Sequence, residues 1–175
     1  MKKNIFLFCV LLCSSCQKID EPEHILQADK AIKVFQVTAF NEFGLLPQGS
    51  GGAFMDQINS VHLYFSTKEE MDISQMRALI IRLSQKFMNQ INSDDEIREY
   101  LAEYPFESNR LKLRITIHGS DGRPIMNQEA NKEKLTSGSL EKNIIYYSIL
   151  NEAEPYYQEI FQESFQEALE KVRSQ

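Results

Sequence analysis

Beyond residue 16 the chain has no cysteine, it has no tryptophan at all, and it carries only three histidines, His24, His62 and His118. The missing thiols exclude disulfides, thiol catalysis and cysteine-based structural zinc from everything after Cys16. A domain of about 160 residues tolerates this, because a chain that long buries a sufficient apolar core without covalent staples. Long apolar runs are scarce as well. The most apolar run, residues 5–12, falls well short of the roughly 20 residues that cross a hydrocarbon core of about 30 Å, so no membrane span is read there. Basic charge is also in deficit, with 19 Lys and Arg against 25 Asp and Glu. Such a surface repels phosphate backbones and anionic headgroups, which argues against nucleic acid partners and against attachment through a basic patch.

What is present begins at the amino terminus. Lys2 and Lys3 precede the apolar run, and Ser14-Ser15-Cys16 follows it. A short cationic head, a short apolar stretch and small residues are the marks of an export signal. The ending resembles the lipobox of bacterial lipoproteins, in which the cysteine after two small residues is acylated and becomes the first residue. The resemblance implies a signal peptide over residues 1–15, lipid attachment at Cys16, a polar tether over 16–23 containing Pro22, and a membrane-anchored domain over 24–175 in the cell envelope. Gln17 in place of Asp favours sorting to an outer membrane where the host has two. Without Lys2 and Lys3 the processed chain keeps 17 basic and 25 acidic side chains, a net charge of −8.

Periodicity then predicts an α+β fold. Ile25, Ala28, Ile32, Phe35, Ala39 and Phe43 recur at helical spacing, with Gly44 as a stop. Val61, Leu63 and Phe65 alternate with His62 and Tyr64 as a first strand, and Leu111, Leu113, Ile115 and Ile117 as a second. Between them Asp72 and Gln75 form a capping box ahead of a long amphipathic helix, and a shorter helix carries Ile97 and Leu101. Residues 144–150 are apolar on both parities and read as a third, central strand. Residues 123–138 read as a long hairpin loop. Tyr157, Ile160, Phe161, Phe165, Ala168, Leu169 and Val172 read as one closing helix from about Pro155, with Phe161 and Phe165 both buried. The expected architecture is therefore a sheet of about three strands with four helices, in the order α-β-α-α-β-β-α. Placing the third strand between the other two makes a split β-α-β arrangement.

Chemistry-bearing motifs are few. Gly49, Ser50, Gly51 and Gly52 read as a loop whose backbone amides are free to cradle an anion, but neither a Walker lysine nor a Gly-x-Ser-x-Gly elbow accompanies them. His62 and His118 fall on the polar parity of their strands, and no His-Glu-x-x-His spacing suggests a metal. Asp94, Asp95 and Glu96 are explained by helix capping, and EF-hand spacing is absent. The stretch Ile97-Arg-Glu-Tyr-Leu-Ala-Glu-Tyr-Pro-Phe106, together with Gly-Ser-Gly-Gly, resembles exported bacterial proteins of no known activity. The expectation is a non-enzymatic module that binds an envelope component, needing no cofactor and no metal. The alternative is a hydrolase or small-ligand protein using Gly49, Ser50, Gly51 and Gly52 with His62 or His118. Cys16→Ser should abolish metabolic palmitate labelling and leave unprocessed precursor or a soluble exported form, and a variant that still labels and fractionates with membranes would contradict the lipobox reading.

Overall fold

The computed structural model describes residues 21–127, 134–153 and 156–174, so the lipobox segment lies outside the described residues. Helix α1, Glu23–Phe43, ends where Gly44 takes φ 65° and its N–H bonds back to the last turn. Strands β1, Leu46–Ala53, and β2, Ser60–Thr67, form a hairpin. Helix α2, Ile73–Ser93, opens on the full Asp72–Gln75 capping box. Its successor α3, Asp95–Arg98, is a single turn capped by Asp94. Strands β3, Leu111–Ile117, β4, Ser137–Glu141, β5, Ile144–Leu150, and β6, Tyr157–Ser164, then make a meander that runs into α4, Phe165–Arg173.

The α+β class holds, but the sheet has six strands rather than about three, in the order β1-β2-β3-β4-β5-β6. Nor does a third strand separate the first two. β2 and β3 pair directly and in parallel, Val61 with Leu111 through Thr67 with Ile117, and α2 is the crossover that a parallel pair requires. The other pairings are antiparallel.

Each missed strand has a physical reason. In β1, Leu-Pro-Gln-Gly-Ser-Gly-Gly-Ala lacks the branched and aromatic residues that mark a strand, so the stretch read as a loop is an edge strand. A Cβ on Gly52 would lie 2.2 Å from the Ser60 carbonyl oxygen, so close approach of the hairpin, rather than a ligand, accounts for that glycine. In β4, Ser-Gly-Ser-Leu-Glu is small and polar although buried, and its start at Ser137 shortens the expected hairpin loop. Pro124 bridges to His118 and Asn127 to Asn151, while the side chain of Asn127 holds both the N–H and the carbonyl of Lys134.

The expected closing helix is a strand followed by a helix. A bulge opposite Tyr147 and Ser148 leaves Ile160 unpaired, so Ile160 and Phe161 both turn to the helix-bearing side. Two neighbouring apolar residues on one side imitate helical spacing. The helix proper starts at Phe165, where Ser164 and Glu167 make a reciprocal capping box.

Helices α1, α2 and α4 cover one face of the sheet. Phe35 and Phe87 meet edge to face at 5.0 Å, and Phe106 joins at 5.9 Å over Val61, Leu63, Phe65, Leu113 and Ile115. Helix α2 sits low over β4: a Cβ on Gly138 would meet the Met76 side chain at 2.5 Å and Ile80 at 2.8 Å. Phe165 is 8% exposed in this core, whereas Phe161 is 40% exposed, so the expectation that both are buried fails for Phe161. Phe165→Ala should cost about 3 kcal/mol in denaturant unfolding. Phe161→Ala, which loses mainly its stacking on Tyr147 at 5.7 Å, should cost only about 1 kcal/mol. Equal losses would contradict the strand-then-helix assignment.

Candidate functional site

The second face of the sheet carries no helix among the described residues, and register determines what lines it. Across the strands run Gly49, Tyr64, Arg114, Ser139, Tyr146 and Gln162, each opposite the next. One row to one side lie Gly51, His62 and Lys112, the last paired with Glu141 at 3.0 Å. One row to the other side lie Ser66, Thr116, Ser137 and Ser148, with Gln48 donating to the Ser66 hydroxyl at 2.9 Å. Tyr64 and Tyr146 stand three strands apart, about 14 Å at the usual strand spacing. Between them the guanidinium of Arg114 reaches across small serines to lie 5.8 Å from the ring centre of Tyr157 on β6. We call this open face, with tyrosines at intervals and a cation and hydroxyls between them, the trough.

The electrostatics of the trough are mild. Burial and then the neighbouring Lys112 ammonium lower the His62 pKa from its ordinary 6.5, so this imidazole is neutral near pH 7. The hydrogen bond from Lys112 holds the Glu141 carboxyl below the usual carboxylate range. The two groups thus form one neutral pair beside a neutral His62, and Arg114 carries the unmatched charge of the central row.

Of the residues singled out from the sequence, Gly51 and His62 are brought together as strand partners. His62 Nε2 lies 3.4 Å from the Ser60 hydroxyl, a weak contact. A serine–histidine dyad needs a third group to orient the imidazole, and no hydrogen bond to Nδ1 of His62 is found among the described residues. His118 is not part of the trough's central row. It follows the end of β3, six residues beyond the strand partner of His62, which is about 20 Å along the strand. Its backbone N–H donates to Thr67, joining the ends of β2 and β3. His24 is structural too, with Nε2 at 2.7 Å from the Phe54 carbonyl, tying the start of α1 to the first hairpin. Among the described residues no group of three or more His, Cys, Asp or Glu could hold a metal ion, and no helix is long and apolar enough to cross a membrane. Sequence reading missed Arg114 and Tyr146 as site residues: Arg114 lies on the polar parity of a strand it did place, whereas Tyr146 lies in a strand apolar on both parities, which names no outward face. The missing information was which strands are neighbours.

The most buried charge lies on the opposite face. Glu163, 2% exposed, accepts from Arg77 of α2 at 2.6 Å, from the Tyr147 hydroxyl at 2.6 Å and from Lys171 of α4 at 2.7 Å. Burial favours its protonated form, but the three hydrogen bonds outweigh that and hold its pKa below the ordinary 4.5. Burial, then the Glu163 carboxylate, raises the Tyr147 phenol well above its usual range. The node shows no access to a substrate and serves to clamp β5 and β6 to two helices.

No family model, no curated protein and no solved structure matches the chain. The open trough and the Glu163 node therefore stand on their own geometry.

Glu163→Gln should destabilise the fold by about 3 kcal/mol, because Arg77 is left buried with a neutral partner. Since the carboxyl pKa is depressed on folding, its contribution is full above about pH 4.5 and is lost as pH falls below that. The wild-type urea midpoint should drop through this window more steeply than that of Glu163→Gln, and parallel pH profiles would show that the node contributes nothing.

Proposed function

We propose that this protein is a lipid-anchored, non-enzymatic binding module of the cell envelope, and that it binds through the open face of its sheet. One observation carries the reading. Tyr64, Arg114, Ser139, Tyr146 and Gln162 form an unbroken row across five strands on a face that no helix covers among the described residues. A rigid sheet presenting aromatic faces at intervals, with a guanidinium and hydroxyls between them, matches a ligand with flat apolar surfaces and many hydroxyl or carboxylate groups. A glycan strand of the envelope has that chemistry. The Ser14-Ser15-Cys16 ending supports anchoring through acyl chains, with an outer membrane as the preferred site where there are two.

The hydrolase alternative would use Gly49, Ser50, Gly51 and Gly52 with His62 or His118. The Gly51–His62 pairing and the weak 3.4 Å contact of His62 with the Ser60 hydroxyl favour it, but those glycines belong to a paired strand rather than an anion-binding loop.

Binding is measured by cosedimentation of the processed protein with purified envelope glycan. Replacing both Arg114 and Tyr146 with Ala should weaken it by about tenfold or more, since each side chain should contribute about 1 kcal/mol or more. Because His62 is already neutral above its ordinary pKa of 6.5, binding should be flat between about pH 6.5 and 8. Unchanged affinity in the double variant would remove the trough as the binding surface.

A further inference from the structure

Helix α1 presents a second surface that nothing covers among the described residues. Its inward face, Ala28, Ala31, Ile32, Phe35 and Ala39, is spent on the core. The outward face carries Leu26, Val34, Val37 at 61% and Phe40 at 52% exposure, and Leu46 and Pro47 of the edge strand β1 continue it. Lys33, Gln36, Val37, Phe40 and Pro47 line a shallow, mostly apolar depression between the helix and the strand. Isolated apolar residues on a surface need no explanation, but an apolar strip along one helix and onto the adjoining strand does.

Two further features say what covers it. The first is charge. In a chain with an acidic excess, the outward strip holds two lysines, Lys30 and Lys33, and no carboxylate lies between Lys30 and Phe40. Lys30 pairs with Glu96 at 2.6 Å and also faces Asp94 and Glu23, and Lys33 reaches Asp29 within the strip at 4.0 Å. The side chains of both pairs are exposed, so the pairs are weak and their lysines are able to turn to phosphate. The second is chain length. Glu23 lies seven residues beyond Cys16, which reach at most about 25 Å when fully extended. From Leu26 to Phe40 the strip runs about 21 Å along the helix.

We infer that the outward face of α1, with Leu46 and Pro47, lies against the headgroup region of the bilayer that holds the acyl chains. This rests on the lipid-anchor reading above. A helix lying flat brings Glu23 to headgroup level, where a seven-residue tether reaches easily. Val37 and Phe40 then bury apolar area at the acyl boundary, while Lys30 and Lys33 extend to lipid phosphate along their aliphatic stems. The acyl chains supply attachment, and the strip supplies orientation.

The test uses the processed protein from its own membrane, reconstituted in vesicles of phosphatidylethanolamine and phosphatidylglycerol. Spin labels are placed at Val37→Cys and, as reference, at Glu159→Cys on the far edge strand. Mass spectrometry of the same samples reads the acyl chains on Cys16. The Val37 label should become more accessible to oxygen than to a water-soluble nickel complex once vesicles are present, and the Glu159 label should stay aqueous. Phe40→Glu should return the Val37 label to water without altering thermal unfolding. An aqueous Val37 label on acylated protein overturns the docking and leaves the anchor intact. Should Cys16 carry no lipid, the anchor reading falls, and the Val37 label on added vesicles still decides the strip: immersion supports docking and exposure overturns it. Protection of Val37 without vesicles, rising with protein concentration, would assign the strip to a second copy and overturn the inference.

Discussion

Helix α2 lies low on the sheet because Gly138 has no side chain, and the rest of the helix layer takes its position from that seat. Met76 and Ile80 occupy the volume where a Cβ on Gly138 would stand, and the same helix sends Phe87 against Phe35 of α1 and Arg77 to Glu163 of β6. Lifting α2 by the width of a methyl group would loosen the aromatic cluster at one end and the buried ion pair at the other. Interiors packed to crystal density transmit such a shift rather than absorb it. The parallel pairing of β2 and β3 belongs to the same constraint, since α2 is the connection between them.

Seating the large helices on one face divides the described part of the molecule into three surfaces of different character. The helix face takes nearly all the apolar area and, among the described residues, the one deeply buried carboxylate, Glu163. The opposite face keeps its polar and aromatic side chains half-exposed and mutually ordered by register, so that a ligand bound there would meet a preorganised row. The third surface is the outward side of α1 with the start of β1. With that edge against lipid, the trough is left clear of the bilayer and open to the aqueous side, so the two proposals are compatible without any rearrangement of the domain.

The glycine-rich segment illustrates how position changes the meaning of a motif. As a free loop, Gly49, Ser50, Gly51 and Gly52 would offer backbone amides to an anion. As edge strand β1, Gly49 and Gly51 stand opposite Tyr64 and His62, and Gly52 lets β1 approach Ser60. A Cβ on Gly49 would lie 3.8 Å from a ring carbon of Tyr64, so the missing side chain leaves that side of the ring uncovered at the end of the row. The glycines thus shape this end of the face as part of a paired edge strand.

Local signals in the sequence were sufficient wherever structure is local. The bounds of α1 with its Gly44 stop, the Asp72–Gln75 cap of α2, and the inward parity of Val61, Leu63, Phe65, Leu111, Leu113 and Ile115 all follow from periods of 3.6 and 2 and from capping chemistry. Strands β1 and β4 were not legible, because glycine and serine form strands only when neighbours supply the ladder bonds and the burial. Strand β6 was misread because a single unpaired residue, Ile160, shifts side-chain parity to resemble a helix. The site followed the same division: the sequence by itself determined that Tyr64 and Arg114 point away from the core, while the strand of Tyr146, apolar on both parities, gave no face. Only the tertiary structure decided that they form one row, because strand order and register are set by hydrogen bonds between segments far apart in the chain and leave no periodic trace within any one of them.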